Sequence, residues 1–312
     1  MPDWTEADIP DLSGRTMVVT GANSGLGLRS ATVLAQHGAR VVLACRSAER
    51  GEAALRSITE AGGKAELVLL DLADLASVRA AAARIRELTG DRLHVLMNNA
   101  GVMATPKRST KDGFELQFGS NHLGHAALTW LLMPALRATS GSRVVTMSSI
   151  VARIGRLNLA DPNYRDRWYE PWLAYGQAKL ANAVFAKELD RRLRAADLDV
   201  RSIAAHPGYT KTQLTANMSR SRGGLRGAIT ERVTDFGNSL IGQDVRIGVL
   251  PQLFAATAPQ AEGGRYYGPS GFQEMHGSPK QVAYPPGARN DSVGPRLWDV
   301  TAELTGVTPD PA

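Results

Sequence analysis

The chain has 312 residues, of which 43% are hydrophobic and 21% are charged, a composition that is ordinary for a globular protein with a large core. Its formal charge is +6, but the arginines are scattered and no basic motif with interleaved aromatic residues occurs, so we expect no nucleic-acid partner. One cysteine excludes an intrachain disulfide and no run of about 18 apolar residues occurs, so we expect a cytoplasmic protein without a membrane span.

The first elements predict a βαβ unit. Residues 17–20 are a short apolar run typical of a buried strand, and a glycine-rich turn at 21–27 leads into a helix that ends near Gly38. Residues 40–45 are a second apolar run, which predicts a second buried strand. Crossovers of this kind join parallel strands, so we expect a parallel sheet.

The glycine-rich turn is a candidate binding site for a dinucleotide. Glycines let the backbone approach a pyrophosphate, and the helix N-terminus offers free N–H groups and a positive dipole end. The turn is not an NTPase phosphate loop, because no Lys-Ser/Thr pair follows the glycines. It is not a hydrolase nucleophile elbow either, because Ala22 stands where the leading glycine must be. The candidate cofactor-binding residues in the turn are Gly21, Asn23, Ser24, Gly25, Leu26 and Gly27.

The end of the second strand indicates which dinucleotide binds. An acidic residue there selects NAD, whereas an arginine suits the 2′-phosphate of NADP. Arg46 follows Cys45 and no acid is present, so the sequence predicts NADP(H) rather than NAD(H). The alternative is a solvated Arg46, and the glycine loop has no basic residue at Asn23 or Ser24 to support the prediction.

Two further strands are predicted to end at the same edge of the sheet, where open α/β sheets bind ligands. Residues 65–72 predict a third strand that ends near Asp71 and Leu72. Asp71 could meet the adenine or cap the helix expected at 74–89, and the sequence leaves both open. A fourth strand at 93–97 precedes small residues that would let a nicotinamide lie against the sheet, although the asparagines among them could tie strands together. These residues are Asn98, Asn99, Ala100 and Gly101.

A long helix is predicted over 112–139 and contains Asn121, His122 and His125. Without a third ligand cluster, the two histidines are interpreted as ordinary helix residues, and no metal site is predicted. The remaining predicted elements are a fifth strand at 143–147 ending at Ser148 and Ser149, a helix at 175–195, a sixth strand at 200–205 ending before Pro207 and Gly208, a short seventh strand at 265–267 and a helix at 296–304.

Tyr175 and Lys179 lie four positions apart on a predicted helix and would project from one face. A phenol has a pKa of about 10, and a nearby ammonium lowers that value. A tyrosine tuned in this way can give a proton to a carbonyl or take one from an alcohol. Taken alone, such a pair is more often a surface contact.

The motifs described above, in the order in which they occur along the chain, resemble those of the short-chain dehydrogenase/reductase family over residues 14–306. The stretch 43–46, the long separation of Ser149 from Tyr175 and the tail from Leu297 to Gly306 resemble its retinol-dehydrogenase-like branch, which includes the WW-domain oxidoreductases. The motifs are Thr20-Gly21-x-x-x-Gly25-x-Gly27, Asn98-Asn99-Ala100-Gly101, Asn121, Ser149, Tyr175-x-x-x-Lys179 and Pro207-Gly208.

The resemblance implies one α/β domain over 1–312: a Rossmann-type, doubly wound parallel sheet of about seven strands with helices on both faces. Within it we expect a Rossmann core at 14–208, a substrate lid at 209–242 and a C-terminal tail at 259–312. Members of this family often assemble through their long helices, which implies a homodimer or homotetramer.

The resemblance also implies roles for individual residues. Tyr175 would be the general acid/base, Lys179 would lower its pKa and hold the nicotinamide ribose, and Ser149 would hydrogen-bond the reacting carbonyl. Asn121 would anchor a water that relays protons to Lys179, and Thr212, after Pro207 and Gly208, would contact the cofactor. The implied activity is NADP(H)-dependent interconversion of an alcohol and a carbonyl on an apolar small molecule.

Some alternatives stay open. The stretch 158–172 carries four aromatic rings, which could wall a substrate pocket or only hold their own loop in place. A non-catalytic, NADP-binding redox sensor is a competing function, although its expected sign, loss of Tyr175, Lys179 or Ser149, is not seen. An epimerase or dehydratase would need a larger segment after Gly208.

Overall fold

The computed structural model describes residues 3–209 and 244–311, and these form one sheet of eight strands between two layers of helices. The strand order is β3-β2-β1-β4-β5-β6-β7-β8; the first seven strands are parallel, and β8 is antiparallel to β7. The strands are β1 (Thr16–Thr20), β2 (Arg40–Cys45), β3 (Lys64–Leu69), β4 (Val95–Asn98), β5 (Ser142–Met147), β6 (Val200–Ala205), β7 (Tyr266–Pro269) and β8 (Pro279–Gln281).

The expected doubly wound parallel sheet is confirmed, and β8 is an addition that the sequence did not predict. The short strand lies in a segment rich in glycine and proline, where the strand pattern is too weak to detect. The longer described helices are α1 (Gly25–Gln36), α2 (Ala48–Glu60), α3 (Leu75–Thr89), α4 (Gly124–Arg137), α5 (Pro171–Ala195), α6 (Leu250–Thr257) and α7 (Val293–Thr305).

Alternating side chains of the central strands bury themselves in two separate cores. Val18 and Val42 face one layer, whose helices are α3, α4, α5 and α7. Met17 and Val41 face the opposite layer, whose helices are α1, α2 and α6. Because successive strand residues point to opposite faces, apolar runs such as 40–45 cover both sides of the sheet at once.

The third strand is shorter than predicted, which changes the surroundings of Asp71. Strand β3 ends at Leu69, so Asp71 and Leu72 lie in the following turn. Asp71 Oδ1 accepts a hydrogen bond from the Ala73 N–H at 3.0 Å, whereas the cap of α3 is Asp74. Asp71 is therefore not the helix cap, and its contact with the adenine stays a prediction.

The long helix predicted at 112–139 is interrupted. One helical turn at Leu116–Phe118 is followed by a π-helical turn at Gly119–Leu123 before α4 begins. Glu115 is the N-cap of the first turn, because its carboxylate accepts hydrogen bonds from the N–H groups of Gln117 and Phe118, so the helical segment begins at Leu116 rather than at 112. Turns of π-helix are rare and are frequent at functional sites, and this one contains Asn121.

The C-terminal helix covers the long helices α4 and α5. Trp298 stacks on Phe185 with ring centroids 5.5 Å apart and meets Trp130 edge-on at 4.9 Å. These three rings are buried. Part of the surface of α4 and α5 is thus covered by α7 of the same chain.

Candidate active site

The glycine turn after β1 is shaped so that only glycine fits. Gly21 has φ +67°, and a Cβ there would stand 3.0 Å from Ala100 Cα. A Cβ on Gly27 would collide with the Gly21 carbonyl oxygen and lie 2.5 Å from Asn99 Nδ2. The N-cap of α1, Ser24, makes no side-chain capping bond, so the N–H groups of the first helical turn remain available to a ligand. This arrangement fits a pyrophosphate.

A cavity of about 300 Å³ opens over this turn. The structure brings most of the predicted cofactor-binding residues to its wall: Gly21, Asn23, Ser24, Gly25, Leu26, Gly27, Arg46, Asp71, Leu72, Asn99, Ala100 and Gly101. Sequence reasoning missed further lining residues, which are Ala44, Arg50, Leu70, Val102, Met103, Thr105 and Ser120.

Two guanidinium groups lie at the end of the cavity near β2. Arg46 directly follows the strand, and Arg50 is in the first turn of α2; both are exposed and both line the cavity. Ser47 between them is the N-cap of α2, and its hydroxyl accepts a hydrogen bond from the Arg50 N–H at 3.4 Å. The spacing of four residues around a helix start could have revealed Arg50 as a second candidate.

Other predicted cofactor residues lie away from this cavity. Asn98 is fully buried and its Nδ2 donates to Thr129 Oγ1 at 2.9 Å, so it ties β4 to α4 rather than lining the cavity. Pro207 and Gly208 follow β6 and are not part of the cavity wall. Thr212 and the expected lid at 209–242, except for residue 209, lie outside the described residues.

Tyr175 and Lys179 lie in the first half of α5, and both side chains are buried. Ser149 follows β5, and its hydroxyl hydrogen-bonds the Tyr175 phenol. Lys179 Nζ lies 5.9 Å from the centroid of the Tyr175 ring and donates to the Met147 carbonyl at 3.1 Å. The ends of β5 and α5 therefore bring together the three groups expected to act on a carbonyl.

The pKa values of Tyr175 and Lys179 differ from the prediction. Burial raises the pKa of Tyr175 to about 12, and the hydrogen bond from Ser149 opposes that rise only in part. Burial lowers the pKa of Lys179 to about 8. The expected lowering of the pKa of Tyr175 by Lys179 is not found, because desolvation dominates and the ammonium is turned to a carbonyl. The phenol is therefore protonated at neutral pH and can act as a donor.

Asn121 connects this group to the cofactor cavity. Its Oδ1 accepts from the Val102 N–H and its Nδ2 donates to the Val102 carbonyl, both at 2.8 Å. A Cβ built on Gly101 would stand 3.1 Å from Asn121 Oδ1 and 3.4 Å from Lys179 Nζ. The amide and the ammonium thus converge behind Gly101, which lines the cavity.

The aromatic insertion divides into two parts. Tyr164 is buried, and the Tyr169 hydroxyl lies 3.0 Å from the Thr105 carbonyl, so these two rings hold the loop in place. Trp172 instead meets Tyr175 edge-on, with ring centroids 6.2 Å apart. Trp168 is 77% exposed. Tyr164 and Tyr169 therefore hold the loop in place, whereas the lining of a substrate pocket by the insertion stays a prediction.

Among residues 3–209 and 244–311, no three His, Cys, Asp or Glu side chains are grouped so that they could hold a metal ion. Nor does any helix there combine the length and the apolar character needed to cross a bilayer.

The fold and this site define a dinucleotide-binding oxidoreductase, and comparison with known proteins gives its family. The model of the short chain dehydrogenase family matches residues 15–223, and the chain belongs to that family. It is an enzyme of the alcohol dehydrogenase type in the retinol-dehydrogenase-like branch, acting on an alcohol or carbonyl of a small molecule.

Three similar proteins cover nearly the whole chain. Retinol dehydrogenase 13 of Homo sapiens is 38% identical over 309 residues, which are 97% of this chain and 87% of that protein. Polyprenol dehydrogenase of Mus musculus is 38% identical over 312 residues, 97% of this chain and 88% of its own. A crystal structure of an uncharacterized protein from Mycobacterium paratuberculosis is 41% identical, covers 98% of both chains and superposes with a TM-score of 0.80.

Proposed function

We propose that the protein is an NADP(H)-dependent oxidoreductase that interconverts an apolar carbonyl compound and its alcohol, with Tyr175 as the general acid/base. The observation that carries the proposal is the convergence of Lys179 Nζ and Asn121 Oδ1 behind Gly101. It joins the proton-handling groups to the cavity over the glycine turn. A redox sensor would have no need of this connection.

Each side chain has a defined part in carbonyl reduction. A bound nicotinamide cofactor supplies the hydride. Ser149 and Tyr175 donate hydrogen bonds to the carbonyl oxygen, where negative charge develops, and Tyr175 then gives up its phenolic proton. Lys179 holds positive charge close to the phenolate that forms as the proton leaves, and so stabilises the charge that develops in this step. Alcohol oxidation uses the same groups in reverse.

Arg46 and Arg50 are proposed to bind the 2′-phosphate of NADP(H). Both guanidinium groups lie at the cavity wall, and no carboxylate follows β2 where a ribose-binding acid would stand. Arginine binds phosphate through two parallel hydrogen bonds, so a pair of arginines favours NADP(H) strongly over NAD(H).

The double variant Arg46→Ala/Arg50→Ala is expected to weaken NADPH binding while leaving NADH binding nearly unchanged. Loss of a hydrogen bond to a charged group costs about 1.5–3 kcal/mol, so the KM for NADPH should rise at least about 10-fold. Steady-state kinetics with both cofactors measure the ratio. The control is Arg56→Ala on the same helix, whose guanidinium lies 3.9 Å from Glu52 and does not line the cavity. Wild-type preference for NADH would contradict the assignment.

The substrate is proposed to be apolar at the carbonyl end. Trp172 borders Tyr175, and the similar proteins named above include dehydrogenases of retinol and of polyprenol, both long apolar alcohols. A screen of aromatic, retinoid-like and steroid-like aldehydes and ketones, followed by the loss of NADPH absorbance, tests this class. Activity confined to sugars or other polyols would overturn it.

Trp172→Ala is expected to raise the KM for an apolar carbonyl substrate about 10-fold or more, because burial of an aromatic ring against a ligand contributes on the order of 1.5–3 kcal/mol. The matched control is Trp168→Ala, which removes the same ring from a position that is 77% exposed. Steady-state kinetics should show the effect in the first variant alone. Equal kinetics for the two variants would remove Trp172 from the pocket.

A further inference from the structure

His125 is buried beneath the site and hydrogen-bonds through both ring nitrogens. Its Nδ1 lies 2.9 Å from the Asn121 carbonyl oxygen, and its Nε2 lies 2.9 Å from Thr20 Oγ1. A carbonyl oxygen only accepts, so Nδ1 carries the proton. Burial lowers the pKa of His125 to about 4, so the ring is neutral and Nε2 accepts the Thr20 hydroxyl proton.

Residues 99–102 line the cavity and are called its floor here; two side chains, each called a clamp, hold this segment by hydrogen bonds. The Thr20 hydroxyl is the first clamp. Once its proton is committed to His125, its oxygen accepts the N–H groups of Asn99 at 2.9 Å and Ala100 at 3.0 Å. The Thr20 carbonyl also accepts from Asn99 Nδ2 at 2.8 Å. This clamp fixes the beginning of the segment 99–102.

The Asn121 amide is the second clamp. It holds both the N–H and the carbonyl of Val102, at the other end of the same segment. Asn121 lies in the π-helical turn, and its own carbonyl is bound by His125 Nδ1. The imidazole therefore joins the two clamps, and one side chain determines the relative position of both ends of the floor.

We propose that His125 is a positioning residue for hydride transfer. This inference rests on the proposed function. His125 sets the position and orientation of residues 99–102. Through these residues it sets the distance between a bound nicotinamide and the carbonyl held by Ser149 and Tyr175. His125 is 1% exposed and does not line the cavity, so it acts only through its neighbours. Reaction rates depend steeply on such placement, and an error of about 1 Å can cost about 10²-fold.

His125→Phe separates positioning from packing. The phenyl ring fills most of the volume of the imidazole, and the Thr20 hydroxyl can turn to the Met97 carbonyl, which lies 3.3 Å away. The local fold should then survive while the two clamps lose their connection. His125→Gln is the second variant, because its side-chain oxygen can still accept from Thr20; it should recover part of the loss.

His122→Phe is the matched control. His122 is as buried as His125 and lies three residues before it, in the π-helical turn. Its Nε2 pairs with Thr301 Oγ1 of α7 at 2.8 Å. Burial lowers the pKa of His122 to about 3, so it too is a neutral imidazole. The control removes a buried, neutral imidazole and leaves the hydrogen bonds of Thr20 and Asn121 in place.

The decisive readout is amide hydrogen exchange at residues 99–102 in the cofactor-free protein, combined with single-turnover reduction by NADPH and its 4-deuterated form. In His125→Phe we expect faster exchange at Ala100 and Val102, hydride transfer slower by about 10²-fold and an NADPH dissociation constant within about threefold of wild type. The His122→Phe control should lower Tm while keeping wild-type exchange at 99–102 and wild-type hydride transfer.

Unchanged protection of 99–102 in a folded His125→Phe or His125→Gln protein would overturn the positioning role, whatever the activity. Wild-type hydride transfer and isotope effect in His125→Phe would do the same. A wild-type protein that reduces no carbonyl would instead overturn the proposed function, and the exchange measurement would still decide whether His125 holds the floor.

Discussion

Tyr175→Phe is expected to lower kcat for carbonyl reduction by about 10²–10⁴-fold, the usual contribution of a positioned general acid. The phenol is buried, hydrogen-bonded to Ser149 and protonated at neutral pH, because burial raises its pKa to about 12. Phenylalanine keeps the ring and its edge contact with Trp172, so the pocket should keep its shape. Stopped-flow loss of NADPH absorbance measures the rate, and quenching of intrinsic fluorescence measures cofactor binding.

Tyr266→Phe is the control for this change. Its phenol is also buried and has a raised pKa, but its hydroxyl hydrogen-bonds Ser148 rather than Ser149. This variant should reduce carbonyls at close to the wild-type rate. If Tyr175→Phe bound NADPH and kept more than about half of the wild-type rate, another group would have to supply the proton.

Lys179→Met is expected to abolish turnover and, at the same time, to raise thermal stability at neutral pH. Burial lowers the pKa of Lys179 from 10.5 to about 8, which corresponds to roughly 3 kcal/mol of folding free energy lost at neutral pH. The Met147 carbonyl keeps a partner in the variant, because Asn182 Nδ2 also donates to it at 3.0 Å. Even 1 kcal/mol gained would raise Tm by about 2–4 °C.

The gain in stability should depend on pH. Because the folded-state pKa is lowered, the unfolded wild-type chain binds more protons between pH about 8 and about 10.5, so wild-type stability rises with pH across that window. The advantage of Lys179→Met is therefore complete below pH about 8 and disappears above about 10.5. Calorimetry over this range measures it.

Lys187→Met is the matched control on the same helix. Lys187 Nζ is partly exposed and pairs with Asp291 at 2.7 Å, so its replacement removes an ion pair and no buried charge. We expect no stabilisation from it at any pH. A Lys179→Met protein that is less stable than wild type at neutral pH would show that the ammonium is not the buried, costly group described above.

The sequence predicted the cavity well because its chemistry is local. Gly21 and Gly27 sit between a strand and a helix, and each position admits no Cβ, so the pattern of residue types follows directly from the contacts. Arg46 was predicted from its place after β2. Arg50 was missed because the pattern for a 2′-phosphate site concerns the residue directly after β2, whereas Arg50 lies in the first turn of α2.

The electrostatics of the site could not be predicted in the same way. Helical spacing placed Tyr175 and Lys179 on one face, but their pKa values are dominated by burial, which depends on the whole layer packed around α5. Periodicity likewise does not distinguish a π-helical turn from an α-helix, so the contact of His125 with Asn121 and Thr20 had no sequence signal beyond the presence of a histidine.

The most direct test of this account is whether the wild-type protein, mixed with NADPH and a panel of apolar aldehydes and ketones, consumes NADPH in step with the alcohol formed. Loss of nicotinamide absorbance and chromatographic measurement of product give the two quantities. We expect equal molar amounts of NADPH oxidised and alcohol produced for at least one member of the panel. A protein that binds NADPH but oxidises none over the whole panel would contradict it, and a redox-sensing role would then be the better explanation.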